Sequence, residues 1–475
     1  MPERVRQVWP ARCRARWGAL AFLLLACGTV TEGRGTARTS EPEAPRYPPP
    51  CVGACDPTGS AGNSAASGAW GSNPGVPHKE WTLAFYLASE TSNAVLGDHY
   101  VDWLERRYAE LEPFANVIVL LDGFYPTKLL QIRSNHDSDE VASEIPAPAG
   151  TALAQLFERT DDNELLLSTP EVLKAFLDLA QSDYPSKYFA LTVLDHGEAW
   201  NGAVYDYPSD GPQDLLGPMP LADFADVFTS LARPIDVLAF DACVMQEVTT
   251  HSWWFKSGGN VRHVVGSEQN NIGWNIDKVL RQFNGLWRAE GGLSPRALAT
   301  AFVGQTNEGD YHRNVTESAV DLTAWPGVAQ RLDALGASLL EVGGMNDPIV
   351  KAVVDERVTR PYGTPVGERM SQEDLVDAVE FCEVLERSFG PDTPIARAAS
   401  ALRSAIGQAV MANSARRPEG DPPDTPNAAA DVSHGISLHL PKTDTIAKLA
   451  KDAYTKKLGR VRELFPRWIE FLNTI

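Results

Sequence analysis

Continuous apolar runs alternate with amphipathic stretches between residues 80 and 268. The runs lack the apolar–polar alternation of a half-exposed sheet, which is typical of strands buried on both faces of a parallel sheet. The intervening stretches have helical periodicity and predict strand–helix–strand crossovers, and therefore an α/β fold with helices flanking a mostly parallel sheet. The predicted strands are 81–88, 116–122, 128–133, a run ending just before His196, 235–241 and 259–268, and the predicted helices are 98–111, 170–182 and 221–231.

The pattern changes beyond residue 305, where long helical periodicities predominate. One strand candidate, 317–324, precedes them, and a short apolar run at 435–441 lies near the end of the chain. The predicted helices of this part are 326–342, 372–388, 394–415 and 454–472. We therefore predict a mostly helical C-terminal part that packs on the sheet.

The first 26 residues have the composition of an export signal. Five arginines precede a short apolar stretch, 18–26, which is too short to span a membrane. The run Leu24-Leu-Ala-Cys27 resembles a bacterial lipobox, in which the cysteine becomes the lipidated first residue; an ordinary cleaved signal is the alternative. Gly28 favours the outer membrane or cell surface, by resemblance to bacterial sorting rules. Residues 27–79, rich in Pro, Gly, Ser, Thr and Ala, are predicted to be a tether.

The chain is acidic, with 42 Lys and Arg against 62 Asp and Glu and a net charge of −20. Removal of residues 1–26 takes away five Arg and one Glu, which changes the net charge to −24. Nucleic acid and anionic lipid bind to clustered Lys and Arg, so this charge argues against both as partners. No run of residues after the signal has the apolar length that a membrane span requires.

Two reactive side chains follow predicted strands. His196 comes after one apolar run and is followed by Gly197, and Cys243 comes after the next, 47 residues further on. Because chemistry in an open parallel sheet collects at the carboxyl ends of the strands, the fold is expected to bring the two together. A neighbouring imidazole activates a thiol as a nucleophile. The alternative is that each is a packed core residue, which is how we interpret Cys382 in its helical pattern.

The same two segments carry a family resemblance. Asp195-His196-Gly197 with Trp200 behind it, and Phe240-Asp241-Ala242-Cys243, together resemble the clostripain family of cysteine peptidases (peptidase family C11), relatives of caspases, gingipains and legumain. Further matching segments are 81–88, Gly266-Ser-Glu268, Gly273-Trp274 and Gly435-Ile-Ser-Leu-His-Leu-Pro441, where His439 stands in place of a common aromatic residue. The resemblance implies a caspase-like catalytic domain over 80–305, a mostly helical subdomain over 306–475, and protein or peptide substrates.

The resemblance also implies roles for residues. Cys243 attacks a peptide carbonyl to form an acyl-enzyme, His196 protonates the leaving amine, and the backbone N–H groups of Gly197 and Cys243 hold the oxyanion. Asp241 stands where the family places an acid that lines a pocket for Arg or Lys; capping of the following helix is the alternative reading of Asp241. No cofactor is required by the sequence, and no residue is assigned as a metal ligand.

The sequence departs from the family's pattern in two places. Residues 269–272 contain no acid, whereas relatives carry a second pocket acid there, and Glu268 or Asp277 is the candidate substitute. The segment 134–158 contains no Lys or Arg, so the basic residues that flank it are the candidate sites of self-cleavage before the catalytic His. In that segment, Asp137, Asp139 and Glu140 form either a calcium site or a solvated acidic loop.

Two alternatives to a hydrolase remain open. A catalytically silent surface lipoprotein would use the same fold to bind peptides or partners, although the intact His196, Gly197, Asp241 and Cys243 argue against a decayed site. A peptide ligase would use the same nucleophile and pass the acyl group to an amine, as legumain makes plausible. His434-Gly435 is a second His-Gly pair, but it precedes a strand, and we interpret it as a structural turn.

Overall fold

The computed structural model describes most of the chain after residue 77. The described residues are 78–89, 94–123, 126–132, 142–160, 162–206, 217–269, 271, 273–305, 315–358, 375–416, 433–441 and 454–475. Several sequence predictions therefore fall outside them: the signal 1–26, lipidation of Cys27, most of the tether 27–79, and the acidic residues Asp137, Asp139 and Glu140.

The described part of the chain contains a nine-stranded sheet in the order β10-β8-β7-β6-β5-β1-β2-β3-β4 and a two-stranded antiparallel sheet, β9 with β11. The strands are β1 (Lys79–Ala88), β2 (Ala115–Asp122), β3 (Lys128–Ile132), β4 (Ala142–Glu144), β5 (Ser186–Leu194), β6 (Ile235–Asp241), β7 (Val261–Gly266), β8 (Val315–Asp321), β9 (Leu375–Asp377), β10 (Val410–Arg416) and β11 (Ser437–His439). The central strands β2, β1, β5, β6 and β7 pair in parallel, and the outer pairings are antiparallel. The predicted mostly parallel α/β sheet is confirmed.

Helices cover both faces of this sheet. They are α1 (Ala94–Leu111), α2 (Ala152–Phe157), α3 (Pro170–Asp183), α4 (Leu221–Ser230), α5 (Val248–Lys256), α6 (Ile276–Glu290), α7 (Pro295–Phe302), α8 (Trp325–Glu341), α9 (Pro348–Val358), α10 (Ala378–Phe389), α11 (Pro394–Ala409) and α12 (Pro466–Leu472). Helices α1, α6 and α7 pack on one face, and α3, α4, α5, α8 and the C-terminal helices contribute to the core on the other.

The continuous apolar character of β1 follows from this two-sided cover. Trp81, Leu83 and Phe85 belong to the core beneath α1 and α6, whereas Ala84 and Tyr86 belong to the opposite core. Successive side chains of a strand point to opposite faces, so a strand covered on both sides needs apolar residues at every position. All five of these side chains are at most 4% exposed.

The chain order of the strands reverses between β1 and β5. The chain runs outward from β1 to β2, and later returns to the other side of β1 as β5, β6 and β7. Such a reversal is the point where open α/β sheets bind ligands, outside the carboxyl ends of the strands. The segments carrying His196 and Cys243 follow β5 and β6, next to this point.

Three helix predictions in the C-terminal part need correction. The predicted helix 394–415 ends at Ala409, because the next seven residues form β10 and pair with β8 at the edge of the main sheet. The predicted helix 372–388 begins only at Ala378, since 375–377 pair with β11. The last predicted helix is interrupted before Pro466, whose ring and missing N–H do not fit a helix interior. Among the described residues, no helix has the length and apolarity needed to cross a membrane.

Candidate active site

His196 and Cys243 occupy equivalent positions on neighbouring parallel strands. Leu194 of β5 lies opposite Asp241 of β6, and the Asp195 N–H donates to the Asp241 carbonyl at 3.4 Å. His196 and Cys243 therefore each follow this last pair by two positions, and the two strands are about 4.8 Å apart. The sheet register brings the two side chains to the same edge of the sheet.

The loop after β5 presents His196 from a tight hairpin. The Val204 N–H donates to the His196 carbonyl at 3.1 Å, and Gly197 forms an antiparallel bridge with Ala203. The Asp195 carboxylate accepts the Tyr205 N–H, and the Tyr205 ring stands edge-on to the imidazole with centroids 6.2 Å apart. These bonds on both sides of the imidazole hold its backbone in one position.

Gly197 lies directly against the backbone of the cysteine segment. A Cβ added at Gly197 would overlap the carbonyl oxygen of Cys243 and stand 3.0 Å from both Cγ and Sδ of Met245. Only glycine permits so close an approach of the two segments. Contact with the cysteine segment therefore explains why a glycine follows His196.

Cys243 is 7% exposed, and its sulfur contacts the loop after β7. The Asn271 N–H points at Sγ from 3.3 Å, and the Asn271 carbonyl lies 3.8 Å from the same sulfur. An amide N–H directed at sulfur stabilises negative charge there, whereas the carbonyl accepts from the neutral thiol. The backbone of Asn271 therefore contacts the sulfur in either protonation state, through its N–H or through its carbonyl.

The backbone after Cys243 is strained. Val244 has φ +55°, which is an outlier for a β-branched residue. It is held there because its N–H donates to the Gln269 carbonyl at 2.8 Å, and the Gln246 N–H donates to the Ser267 carbonyl at 3.0 Å. Strain of this kind concentrates at functional sites, where surrounding bonds hold it in place.

Asp241 is buried beside the cysteine and accepts three hydrogen bonds. The donors are the Tyr100 hydroxyl, the Asn271 side-chain amide at 2.5 Å and the Trp274 N–H at 2.9 Å. Burial raises the pKa of Asp241 to about 6, and these three donors oppose that rise. The helix-capping alternative for Asp241 is wrong, since Glu247 caps α5 through the N–H groups of Thr249 and Thr250.

The two acids considered as substitutes in the pocket are engaged elsewhere. The Glu268 carboxylate is fully buried and accepts from the Ser433 hydroxyl and the Gly435 N–H. Asp277 forms ion pairs with Arg107 and Arg281, each at 2.5 Å. Neither carboxylate is therefore positioned as a second pocket acid.

A different buried acid lies near Asp241. Glu317 of β8 is 1% exposed and accepts the Gly304 N–H at 2.5 Å. Burial, with a smaller contribution from the charge of Asp241, raises the pKa of Glu317 to about 8. Reading the sequence did not single out Glu317, because a lone acid in a strand candidate carries no local signal of burial.

Three other histidines, His434, His263 and His251, and the second folded cysteine, Cys382, have structural surroundings. His434 contacts the Asp377 carboxylate through Nδ1 at 3.0 Å, and His263 contacts the Asp236 carbonyl at 2.8 Å. His251 packs edge-on against Trp325, and burial lowers its pKa to about 3. Burial raises the pKa of the Cys382 thiol, which keeps that thiol neutral.

Sequence reasoning missed two residues that contact this site, Tyr100 and Asn271, and also Tyr454, which contacts Trp200 and Thr249 in the two neighbouring segments. Asn271 was noted only as a missing acid, although its peptide contacts Cys243 and its side chain contacts Asp241. Tyr100 appeared only as one position of a predicted amphipathic helix. No local sequence signal identifies contacts that join positions this far apart in the chain.

Comparison with known proteins identifies the family and agrees with the fold. The profile of the clostripain family matches residues 106–417. A secreted C11 cysteine protease from Bacteroides thetaiotaomicron, solved with an irreversible peptide inhibitor, has a TM-score of 0.54 at 14% identity, over 81% of this chain and 100% of that one. An inactive zymogen C11 protease from Parabacteroides distasonis has a TM-score of 0.54 at 14% identity, over 81% and 99%. A search of curated protein sequences found no match.

The profile covers about two thirds of the chain and includes both the His196 and the Cys243 segments. The structural likeness extends the agreement in fold to four fifths of the chain. The chain therefore belongs to the clostripain family and is a cysteine-type peptidase.

Proposed function

We propose that the protein is an exported cysteine endopeptidase with a Cys243/His196 dyad. The observation that carries the proposal is the register of β5 on β6, because it puts a strand-terminal imidazole and a strand-terminal thiol at the same sheet edge. The family membership supplies the reaction class. The dyad assigns that reaction to two residues of this chain.

In the proposed reaction, the Cys243 sulfur attacks the carbonyl carbon of the scissile peptide bond. The thiol proton passes to His196, a C–S bond forms, the C–N bond breaks, and His196 donates that proton to the departing amine. Water then attacks the acyl-enzyme while His196 accepts a proton from it; a C–O bond forms, the C–S bond breaks, and the acid product leaves. The proton on His196 returns to the sulfur and regenerates the thiol. Backbone N–H groups of Gly197 and Cys243 stabilise the oxyanion, and the close approach of the Gly197 backbone to the cysteine segment supports this role.

Specificity for Arg or Lys before the scissile bond rests on Asp241. Asp241 is buried beside the nucleophile and has no ion pair among the described residues, and both features support a role in binding a cationic side chain. Asn271 contacts this carboxyl and supplies no second charge. We therefore propose a pocket with one carboxylate, in which the basic preference is weaker than in a pocket with two.

Export rests on residues 1–26, with Cys27 as the proposed lipidation site and the membrane as partner through that lipid. The relative from B. thetaiotaomicron is described as secreted, which is compatible with export. Localisation at the outer membrane or the cell surface follows from Gly28. We also propose that Asp137, Asp139 and Glu140 bind calcium, and adding a chelator tests this directly.

The deciding experiment uses protein that begins at Pro77, assayed under reducing conditions with fluorogenic peptides ending in Arg, Lys, Asp, Asn or Leu. We expect turnover after Arg and Lys that disappears in Cys243→Ala. Cys382→Ala is the matched control, because that thiol is buried away from the site and neutral. A chelator added to each assay tests the calcium proposal.

The outcomes separate the candidate functions. Cysteine-dependent cleavage after other residues retains the dyad and rejects the Asp241 pocket. Transfer of the acyl group to added amines in preference to water identifies a ligase. Folded protein that turns over no substrate, even after mild tryptic nicking, overturns the peptidase proposal and leaves the surface binding lipoprotein.

A further inference from the structure

A buried tyrosine near the C-terminus lies between the two catalytic segments. Tyr454 is 2% exposed, and its ring stands edge-on to Trp200 with centroids 5.4 Å apart. The same ring lies 4.2 Å from the His439 ring. Trp200 is four residues after His196, so these contacts reach the loop that presents the imidazole.

The hydroxyl of the same tyrosine reaches the helix that follows the cysteine. Tyr454 Oη and Thr249 Oγ1 are 2.8 Å apart, and Thr249 Oγ1 donates to Glu247 at 3.1 Å. Glu247 is four residues after Cys243 and caps α5. One side chain from residue 454 therefore joins the segment of the imidazole to the segment of the thiol.

A lysine one turn later contacts the histidine loop a second time. Lys457 Nζ donates to the carbonyl of Asn201 at 3.2 Å and also to its side-chain oxygen. Asn201 in turn donates to Glu198 at 2.6 Å. Burial lowers the pKa of Lys457, and the charge of Glu198 opposes that effect. The ammonium is thus bonded within the tight hairpin that begins at His196.

The rest of this stretch packs along α5. The Arg460 guanidinium lies over the Trp253 ring at 5.3 Å from its centroid, and Lys256 pairs with Glu463 at 3.4 Å. Gly459 approaches the same ring closely enough that an added Cβ would stand 3.0 Å from it. The stretch 454–464 therefore lies on both catalytic segments, although it follows them by about 200 residues.

We propose that residues 454–464, which we name the C-terminal clamp, hold the His196 loop and the Cys243 segment in register, with Tyr454 and Lys457 as positioning residues. The inference rests on the dyad of the proposed function. Neither residue touches the reacting atoms; Tyr454 acts through Trp200 and Thr249, one in each segment, and Lys457 acts through Asn201 of the His196 loop. Small displacements between reacting groups are costly, so bonds that prevent them affect turnover more than substrate binding.

The test compares Lys457→Met, Lys457→Arg and Tyr454→Phe with Lys351→Met, a matched lysine in an exposed pair with Asp355 on α9. Concentrations are set by titrating active sites with an irreversible cysteine-directed inhibitor. We expect Lys457→Met to lower kcat about tenfold with KM unchanged, and Tyr454→Phe to lower it severalfold. Lys457→Arg retains the cation and is expected to restore most of the activity.

If kcat per titrated active site is the same in Lys457→Met and Tyr454→Phe as in Lys351→Met, the clamp proposal is overturned, even if these variants melt at a lower temperature. A rise in KM at constant kcat would overturn it as well. Amide hydrogen exchange over residues 196–204 gives a readout that does not depend on turnover. Exchange there is expected to be faster in Lys457→Met than in Lys351→Met, and equal rates overturn the clamp whether or not the wild-type protein cleaves peptides.

Discussion

Because Gly197 lies so close to the cysteine segment, one added methyl group at this position is expected to lower catalysis severely. In Gly197→Ala, the new carbon overlaps the Cys243 carbonyl oxygen and stands 3.0 Å from two atoms of Met245, whereas ordinary contacts begin at 3.4 Å. The methionine side chain can rotate away, but a backbone carbonyl moves only if its segment moves. The two segments must therefore separate, which displaces the proposed oxyanion donors and the sulfur relative to His196.

A misplacement on the order of 1 Å lowers catalysis about 10²-fold, which corresponds to about 2.7 kcal/mol of transition-state stabilisation. We therefore expect kcat/KM of Gly197→Ala to fall about 10²-fold on the best fluorogenic substrate. The control is Gly285→Ala in α6, where an added Cβ meets nothing within 4 Å. That change replaces a helical glycine and is expected to stabilise the protein by up to about 1 kcal/mol without affecting kcat.

Thermal melts and active-site titration accompany the kinetics, so that loss of folded protein is separated from loss of rate. If Gly197→Ala melts within a few degrees of the wild type and keeps full kcat/KM, then the contact with Cys243 has no catalytic role.

Three further predictions concern charge and packing. Because burial raises the pKa of Asp241 to about 6, kcat/KM for an Arg substrate should fall about tenfold per unit below pH 6, and in Asp241→Asn this step should be absent from the pH–rate profile. Burial raises the pKa of Glu247 from its usual 4.5 to about 7 in the folded protein, so its ionisation lowers stability as pH rises from 4.5 through 7. The melting temperature of Glu247→Gln should therefore fall less over that window than that of the wild type. An equal fall would contradict the assignment. Gly336→Ala meets the backbone of Trp468 and should lower the free energy of unfolding by about 1–3 kcal/mol, whereas Gly327→Ala on the same helix meets nothing and should not, as melting curves will show.

Much of the catalytic half was predictable from local pattern. A strand buried on both faces needs apolar side chains at successive positions, so the runs that became β1, β2, β5, β6 and β7 were visible without any tertiary information. The same runs ended at His196 and Cys243, and the rule that parallel strands share a carboxyl edge brought both to one place. For Gly197 the resemblance implied only an oxyanion role, and its close contact with the cysteine segment became visible in the structure.

The predictions that failed were those in which a distant partner decided the outcome. Residues 410–416 continue a helical pattern, but the exposed edge of β8 offers backbone hydrogen bonds that a strand can take up, so they pair with it. Residues 375–377 become a strand for the same reason, because β11 lies alongside them. Local periodicity reports which face of a segment is apolar and carries no information about an unpaired strand edge elsewhere.

The sequence by itself determined the fold class, the order of the strands at whose ends the site lies, and the two candidate reactive residues, because each depends on neighbours along the chain. Tertiary structure alone decided that Asn271 contacts both Cys243 and Asp241, that Glu268 and Asp277 are engaged away from the pocket, and that Tyr454 joins the two catalytic segments. Each of these contacts joins positions between about 28 and 250 residues apart. Only folding of the chain brings such distant positions into contact, and no local pattern in the sequence predicts these contacts.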